Sequence, residues 1–79
     1  ITEQASRVFA NLEAVASAAG ASIDQAVKIN ISLTDMNDFA AVNAVMAEVF
    51  NEPYPARACV QVAALPRGVA IEVEAILAL

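Results

Sequence analysis

The chain has 79 residues and a hydrophobic content of 59%, a size that limits it to one domain and leaves a lone monomer marginally stable. Its formal net charge is −5 and its four basic residues are scattered, so no Lys/Arg patch exists to bind a nucleic acid. One cysteine and no histidine exclude a disulfide framework, a zinc finger and a Ser–His or Cys–His catalytic pair within the chain, and no apolar run approaches the roughly 20 residues that cross a bilayer.

The first predicted element is a helix from Thr2 to Ala19. Its apolar residues recur with the 3.6-residue period of a helix that packs one face on a core. Gly20 is expected to end this helix, because glycine readily adopts the left-handed conformation found there. The segment Ser22–Gln25 has the spacing of a capping box and predicts a short helical turn or loop.

A strand with one buried face follows, because apolar and polar residues alternate strictly. The buried side is predicted to consist of Val27, Ile29, Ile31 and Leu33. Thr34 or Asp35 then caps a second helix that runs to Phe50 and is ended by the two prolines of NEPYP. Asn43 lies within the apolar stripe of this helix, where an unpaired polar group costs about 1 to 3 kcal/mol, so its side chain is expected to tie down a neighbouring loop rather than to contact a ligand.

The rest of the chain predicts two strands separated by a turn at LPRG. The first strand, Ala56–Ala63, alternates between one side with Val60 and another with Arg57 and Cys59. The second strand lies in VAIEVEAILAL, and its last five residues are apolar on both faces. Such a pattern is typical of a strand inside a sheet.

The order helix, strand, helix, strand, strand predicts a parallel right-handed strand pair, with both helices on one face of the sheet. We expect the helices to cover the side of Val60. Arg57 and Cys59 would then lie on the open face, together with Glu72 and Glu74 if the strand registers match. In so apolar a chain, this open face is expected to meet other subunits and its charged groups to mark a pocket in the interface.

Four of these residues could carry chemistry, which must use arginine, carboxylates, amides or water. The planar guanidinium of Arg57 can bind a carboxylate through two hydrogen bonds, although an ion pair with an acidic residue of the same or another subunit is the alternative. Glu72 and Glu74 point the same way and could supply a general acid or base if buried, or be a solvated pair. Cys59 is expected to shape the pocket wall, since no histidine is present to activate its thiol.

The run YPARACVQVAALPRGVAIEVEAILAL closely resembles the C-terminal signature of the RidA/YjgF family, also called reactive intermediate deaminases or L-PSP proteins. The preceding segment is similar to the family's helix, strand and second helix, so the resemblance covers the chain from Gln4 onward. It implies an α+β fold like that of the bacillary chorismate mutases, with two helices on one face of a mixed sheet. Residues 1–79 would form a single domain that lacks the family's N-terminal strands.

The resemblance also implies an activity: hydrolysis of 2-imino or 2-amino-enoic acids, such as 2-iminobutanoate and 2-iminopropanoate, to 2-keto acids and ammonia. The site would lie in a cleft between subunits of a cytoplasmic homotrimer and use no metal or organic cofactor. Arg57 would clamp the carboxylate of the imine or keto acid, the Cys59 backbone would contact the ligand, and Glu72 would position or activate the water. Asn43 and Tyr54 are candidate supporting residues.

Two other functions compete with this one. A trimer that binds small carboxylates without turning them over would use Arg57 equally well. The endoribonuclease name attached to part of the family fits poorly with a net charge of −5 and the absence of histidine.

Overall fold

The computed structural model describes residues 1–52 and 54–79, so Pro53, one of the prolines expected to end the second helix, lies outside the described residues. Within them the helices are α1 (Thr2–Ala18) and α2 (Phe39–Val49), and the strands are β1 (Ala26–Leu33), β2 (Ala56–Gln61) and β3 (Ile71–Leu77). The strands form a sheet in the order β2-β1-β3, with β1 parallel to β2 and antiparallel to β3. The predicted α+β fold with a mixed sheet is confirmed.

The end of α1 follows from the glycine after it. Gly20 has a φ of 78°, which places it in the left-handed region. Its N–H donates to the carbonyl of Ser17 at 3.0 Å, and the N–H of Ala21 donates to the carbonyl of Ala16 at 2.8 Å. These two bonds form a Schellman motif, which satisfies carbonyls that the helix leaves free. The capping box predicted at Ser22–Gln25 is also present.

Both helices pack on one face of the sheet, as predicted. Ile29, Ile31 and Leu33 of β1 are at most 1% exposed and form the centre of the core. Phe9 of α1 meets Phe50, just after α2, edge to face with 5.9 Å between the ring centroids, a favourable aromatic geometry. The remaining core residues come from both helices, the first turn and β3: Ala5, Ile23, Val42, Val45, Met46 and Ile71.

Val27 does not join the buried face of β1, and the prediction that it does is wrong. Ala26 pairs with Leu77 of β3, whereas Lys28 pairs with the adjacent Ile76, so β1 has one extra residue at Val27. This β-bulge reverses the alternation, because an inserted residue shifts the following side chains to the other face. Ala26 therefore packs against the core and Val27 is 50% exposed.

β2 runs parallel to β1 as predicted, but its side chains project from the opposite faces of the sheet to those predicted. Arg57 and Cys59 pair with Ile29 and Ile31 of β1, and side chains of paired residues project from the same face. That face of β1 is buried under the helices, so Arg57 and Cys59 lie on the helix side, while Val60 is 54% exposed on the open face. The prediction failed because period-two alternation is the same whichever set of side chains faces the helices. β2 also lies at the sheet edge, where the helices leave room for polar side chains.

β3 directs Ile71, Val73 and Ala75 toward the helices, where they pair with β1 residues of the core. Glu72 and Glu74 consequently lie on the open face and are exposed. Among the described residues β3 is an end strand, so the interior position predicted for it is not reached within this chain. No helix in the described part of the chain has the length and apolar character needed to cross a membrane.

Candidate functional site

Arg57, the second residue of β2, is held by two side chains of α2. Its Nη1 donates a hydrogen bond to Oδ1 of Asn43. Its guanidinium carbon lies 5.0 Å from the centroid of the Phe39 ring, within the range of a cation–π interaction. Both contacts are with uncharged groups, so neither neutralises the guanidinium, and Arg57 remains exposed.

The spacing of Phe39 and Asn43 explains why both reach Arg57. Residues four apart lie on the same face of a helix, one turn from each other. Phe39 is half-buried and packs against the core, whereas the Asn43 amide is exposed beside β2. Asn43 was expected to tie down a neighbouring loop; its hydrogen-bond partner is instead Arg57 at the start of β2.

A cavity of about 500 Å³ lies beside this cluster. It combines one cation and one amide with a largely apolar wall, a composition that suits a small organic acid. Tyr54, at 56% exposure, is one of its lining residues. The full lining is Asn43, Met46, Ala47, Tyr54, Pro55 and Arg57.

Cys59 lies two residues after Arg57 on the same face of β2 and packs against the core. Burial raises the pKa of its thiol above the ordinary value of 9.0, and the nearby Arg57 opposes this rise less strongly. Burial disfavours the thiolate because the charged form loses its hydration. At neutral pH the thiol is therefore protonated, which does not suit a nucleophile, and Cys59 lies outside the lining of the cavity.

Glu72 is not brought next to Arg57 within one chain. It pairs with Ser32 of β1, and Ser32 pairs in turn with Val60 of β2, so all three share the open face. Arg57 lies on the helix side of β2, two strands away, which is about 10 Å across the sheet, and three residues from Val60, which is about 10 Å along the strand. The prediction that Arg57 and Cys59 share a face with Glu72 is wrong, because the face of β2 was misassigned.

One contributor to the site was missed at the level of sequence. Phe39 belongs to the apolar stripe of α2, and its four-residue spacing from Asn43 places both on one helix face. The missing information was which face of β2 meets α2. In residues 1–52 and 54–79 no group of three or more His, Cys, Asp or Glu side chains is arranged to hold a metal ion.

Comparison with known proteins gives consistent results. The family model described as Endoribonuclease L-PSP matches residues 1–79. A 2-iminobutanoate/2-iminopropanoate deaminase of Dermatophagoides farinae is 45% identical over 76 residues, which are 96% of this chain and 59% of that protein.

Two crystal structures are similar as well. RidA from an Antarctic Psychrobacter bacterium has a TM-score of 0.97 and 52% identity, covering 100% of this chain and 64% of that one. Escherichia coli TdcF with bound serine has a TM-score of 0.91 and 43% identity, covering 96% of this chain and 62% of that one. The chain thus spans less than two thirds of the length of each of these relatives.

Proposed function

Because the chain belongs to the Endoribonuclease L-PSP family, as its resemblance to RidA/YjgF proteins indicated, we propose that the protein carrying it hydrolyses reactive 2-imino acids to 2-keto acids and ammonia. The 2-imino acids named for the similar deaminase, 2-iminobutanoate and 2-iminopropanoate, are the proposed substrates. The observation that carries the proposal is Arg57: an exposed guanidinium that contacts two uncharged side chains of α2 and lies beside a cavity large enough for a small organic acid.

The proposed chemistry demands little of the protein. An imine carbon next to a carboxylate is already electrophilic, so water can add to it to form a carbinolamine. The carbinolamine then expels ammonia as the C2–N bond breaks and the keto group forms. Arg57 would hold the substrate carboxylate. Glu72 would take a proton from the attacking water and give it to the imine nitrogen, then pass the proton of the carbinolamine hydroxyl to the same nitrogen, which leaves as ammonia. Such general acid–base assistance contributes about 10²- to 10⁴-fold in rate.

The opposite placement of Arg57 and Glu72 supports a site between subunits. Within one copy the two side chains lie on different faces of the sheet, so they cannot reach the same small substrate. Glu72 of the partner subunit can approach Arg57 if the open face of one copy borders the β2 edge of the next. We therefore place the proposed site in a cleft between subunits of a homotrimer.

The direct test measures keto-acid release from an imine that a threonine dehydratase generates in the assay. We expect the wild-type protein to accelerate release and Arg57→Ala to reduce it to the uncatalysed rate, because the carboxylate loses its anchor. Arg67→Ala is the matched control: it removes an exposed arginine outside the cavity lining and should retain the wild-type rate. Wild-type protein that gives no acceleration would overturn the deaminase proposal, and full activity of Arg57→Ala would overturn the role of Arg57.

A carboxylate-binding protein without turnover is the second candidate. The structure of the similar TdcF protein contains bound serine, which is a small carboxylate, and one copy of this chain offers Arg57 without Glu72 beside it. This function predicts that 2-oxobutanoate binds in an Arg57-dependent way while imine hydrolysis stays at the uncatalysed rate. An endoribonuclease is disfavoured by the net charge of −5, which repels a phosphate backbone.

A further inference from the structure

The side chain of Arg57 would be free to move if β2 alone held it. Arg57 is exposed, and a long exposed side chain populates many rotamers that it must give up when it binds a ligand. Any contact that restricts these rotamers beforehand lowers this entropic cost. The contacts with α2 therefore bear on carboxylate affinity, even though α2 need not touch the carboxylate.

The two contacts restrict Arg57 in different directions. The guanidinium carbon lies over the Phe39 ring, 5.0 Å from the ring centroid. Asn43 accepts a hydrogen bond from Nη1 in a second direction. Neither contact uses the edge formed by Nε and Nη2, whose paired donors match the two oxygens of a carboxylate.

Phe39 itself is fixed from two sides. Its ring packs against the core, and it follows the short turn Met36–Asp38, in which the Asp35 side chain accepts a hydrogen bond from the N–H of Asn37. The N–H of Met36 donates to the side-chain oxygen of Gln61 at the end of β2, at 2.8 Å. The position of the ring is thus set by α2 and β2 together, the same two elements that place Arg57.

We propose that Phe39 is a positioning residue for Arg57, one that presets the guanidinium orientation for a carboxylate without contacting the ligand. This inference rests on the proposed function, in which Arg57 binds the substrate carboxylate. Removing the aromatic face should weaken carboxylate binding by about two- to fivefold, the range expected for an exposed cation–π contact. Because no reacting group changes, kcat should stay unchanged while KM rises.

The test compares Phe39→Leu with Phe39→Tyr in the protein that carries the chain. Leucine preserves the apolar packing but removes the ring, whereas tyrosine preserves the ring, so only Phe39→Leu should weaken binding. Calorimetric titration with 2-oxobutanoate gives Kd independently of turnover. The NMR resonance of the Arg57 Nε–H in the ligand-free protein should lose its aromatic ring-current shift in Phe39→Leu only.

Phe50→Leu is the matched control. It removes a buried ring that lies next to the same helix but packs on Phe9 rather than on Arg57. It should lower the thermal midpoint and leave Kd unchanged. If Phe39→Leu binds with the wild-type Kd while Arg57→Ala does not bind, the positioning role of Phe39 is overturned and the proposed function is not. Unchanged binding in Arg57→Ala would overturn the proposed function and the positioning role with it. Equal weakening in Phe39→Leu and Phe50→Leu would reduce the effect to general destabilisation and also overturn the inference.

Discussion

Arg57 and Cys59 show how one strand face can serve two purposes. Arg57 lines the cavity, whereas Cys59, two residues further along, packs against the core and is not part of the cavity lining. The cavity itself combines the Arg57 cation with apolar side chains such as Met46 and Ala47. A ligand with a carboxylate and a short apolar tail matches this composition.

The titration of Cys59 provides a prediction at the residue scale. Burial raises the thiol pKa above 9.0, so the rate of alkylation by iodoacetamide should rise with pH through a midpoint above that value. Arg57→Ala should move the midpoint higher still, because the cation that favours the thiolate is gone. The same chain unfolded in urea is the control and should titrate near the ordinary cysteine value. A folded-state midpoint at or below that of the unfolded chain would contradict the effect of burial.

At the scale of elements, the ends of the helices and strands are set by local geometry. The Schellman motif at Gly20 ends α1 and turns the chain toward β1. The bulge at Val27 then reverses the side-chain alternation, so that Ala26 and Ile29 both face the helices. In a regular strand Ala26, which lies three residues before Ile29, would project to the open face.

The Gly20 conformation predicts a measurable cost of substitution. A Cβ at Gly20 would meet nothing within 4 Å, so Gly20→Ala introduces backbone strain and no clash. Urea unfolding should show a loss of about 1 kcal/mol, because the left-handed conformation is unfavourable for residues with a Cβ. Gly20→Asn should lose less, since asparagine tolerates this conformation better. Equal stability of Gly20→Ala and the wild type would show that the φ of 78° is not maintained in solution.

At the scale of the whole molecule, the two faces of the sheet differ in cover. The helices bury one face, while the other carries Glu72, Glu74 and two apolar side chains, Val60 and Ile76, that are each 54% exposed. A face that exposes apolar side chains beside the proposed catalytic carboxylate is suited to a subunit interface. The proposed trimer would bring that carboxylate to Arg57 of a neighbouring copy.

Mixing two inactive variants tests this arrangement. Arg57→Ala and Glu72→Gln should each lack deaminase activity, but subunit exchange between them should recreate sites that contain both native residues. Random assembly of an equal mixture into cyclic trimers restores about a quarter of the sites. The measurement is keto-acid release after co-refolding, with a different affinity tag on each variant to verify mixed trimers. Mixed trimers without recovered activity would show that Arg57 and Glu72 do not meet across an interface.

The candidate site was only partly predictable. Arg57, Asn43 and Tyr54 were identified from residue type and from the family resemblance, and all three line one cavity. The contact between Phe39 and Arg57 could not be foreseen, because it depends on which face of β2 meets α2. The separation of Arg57 from Glu72 could not be foreseen either, because the alternation in β2 is the same whichever of its faces meets the helices.

By itself, the sequence determined the types of element, the end of α1 at Gly20 and the buried face of β1 from Ile29 onward. It also determined the parallel pair of β1 and β2, which α2 connects. The spacing of large aliphatic side chains and the backbone conformation of glycine are local properties of the sequence. The tertiary structure alone decided which side chains of β2 face the helices, the bulge at Val27 and the contacts of Arg57. The physical reason is that β2 is an edge strand with small or polar residues on both faces. The free energy of burial therefore differs little whichever face of β2 is turned toward the helices. Hydrogen bonding with β1 and packing against α2 decide which face it is.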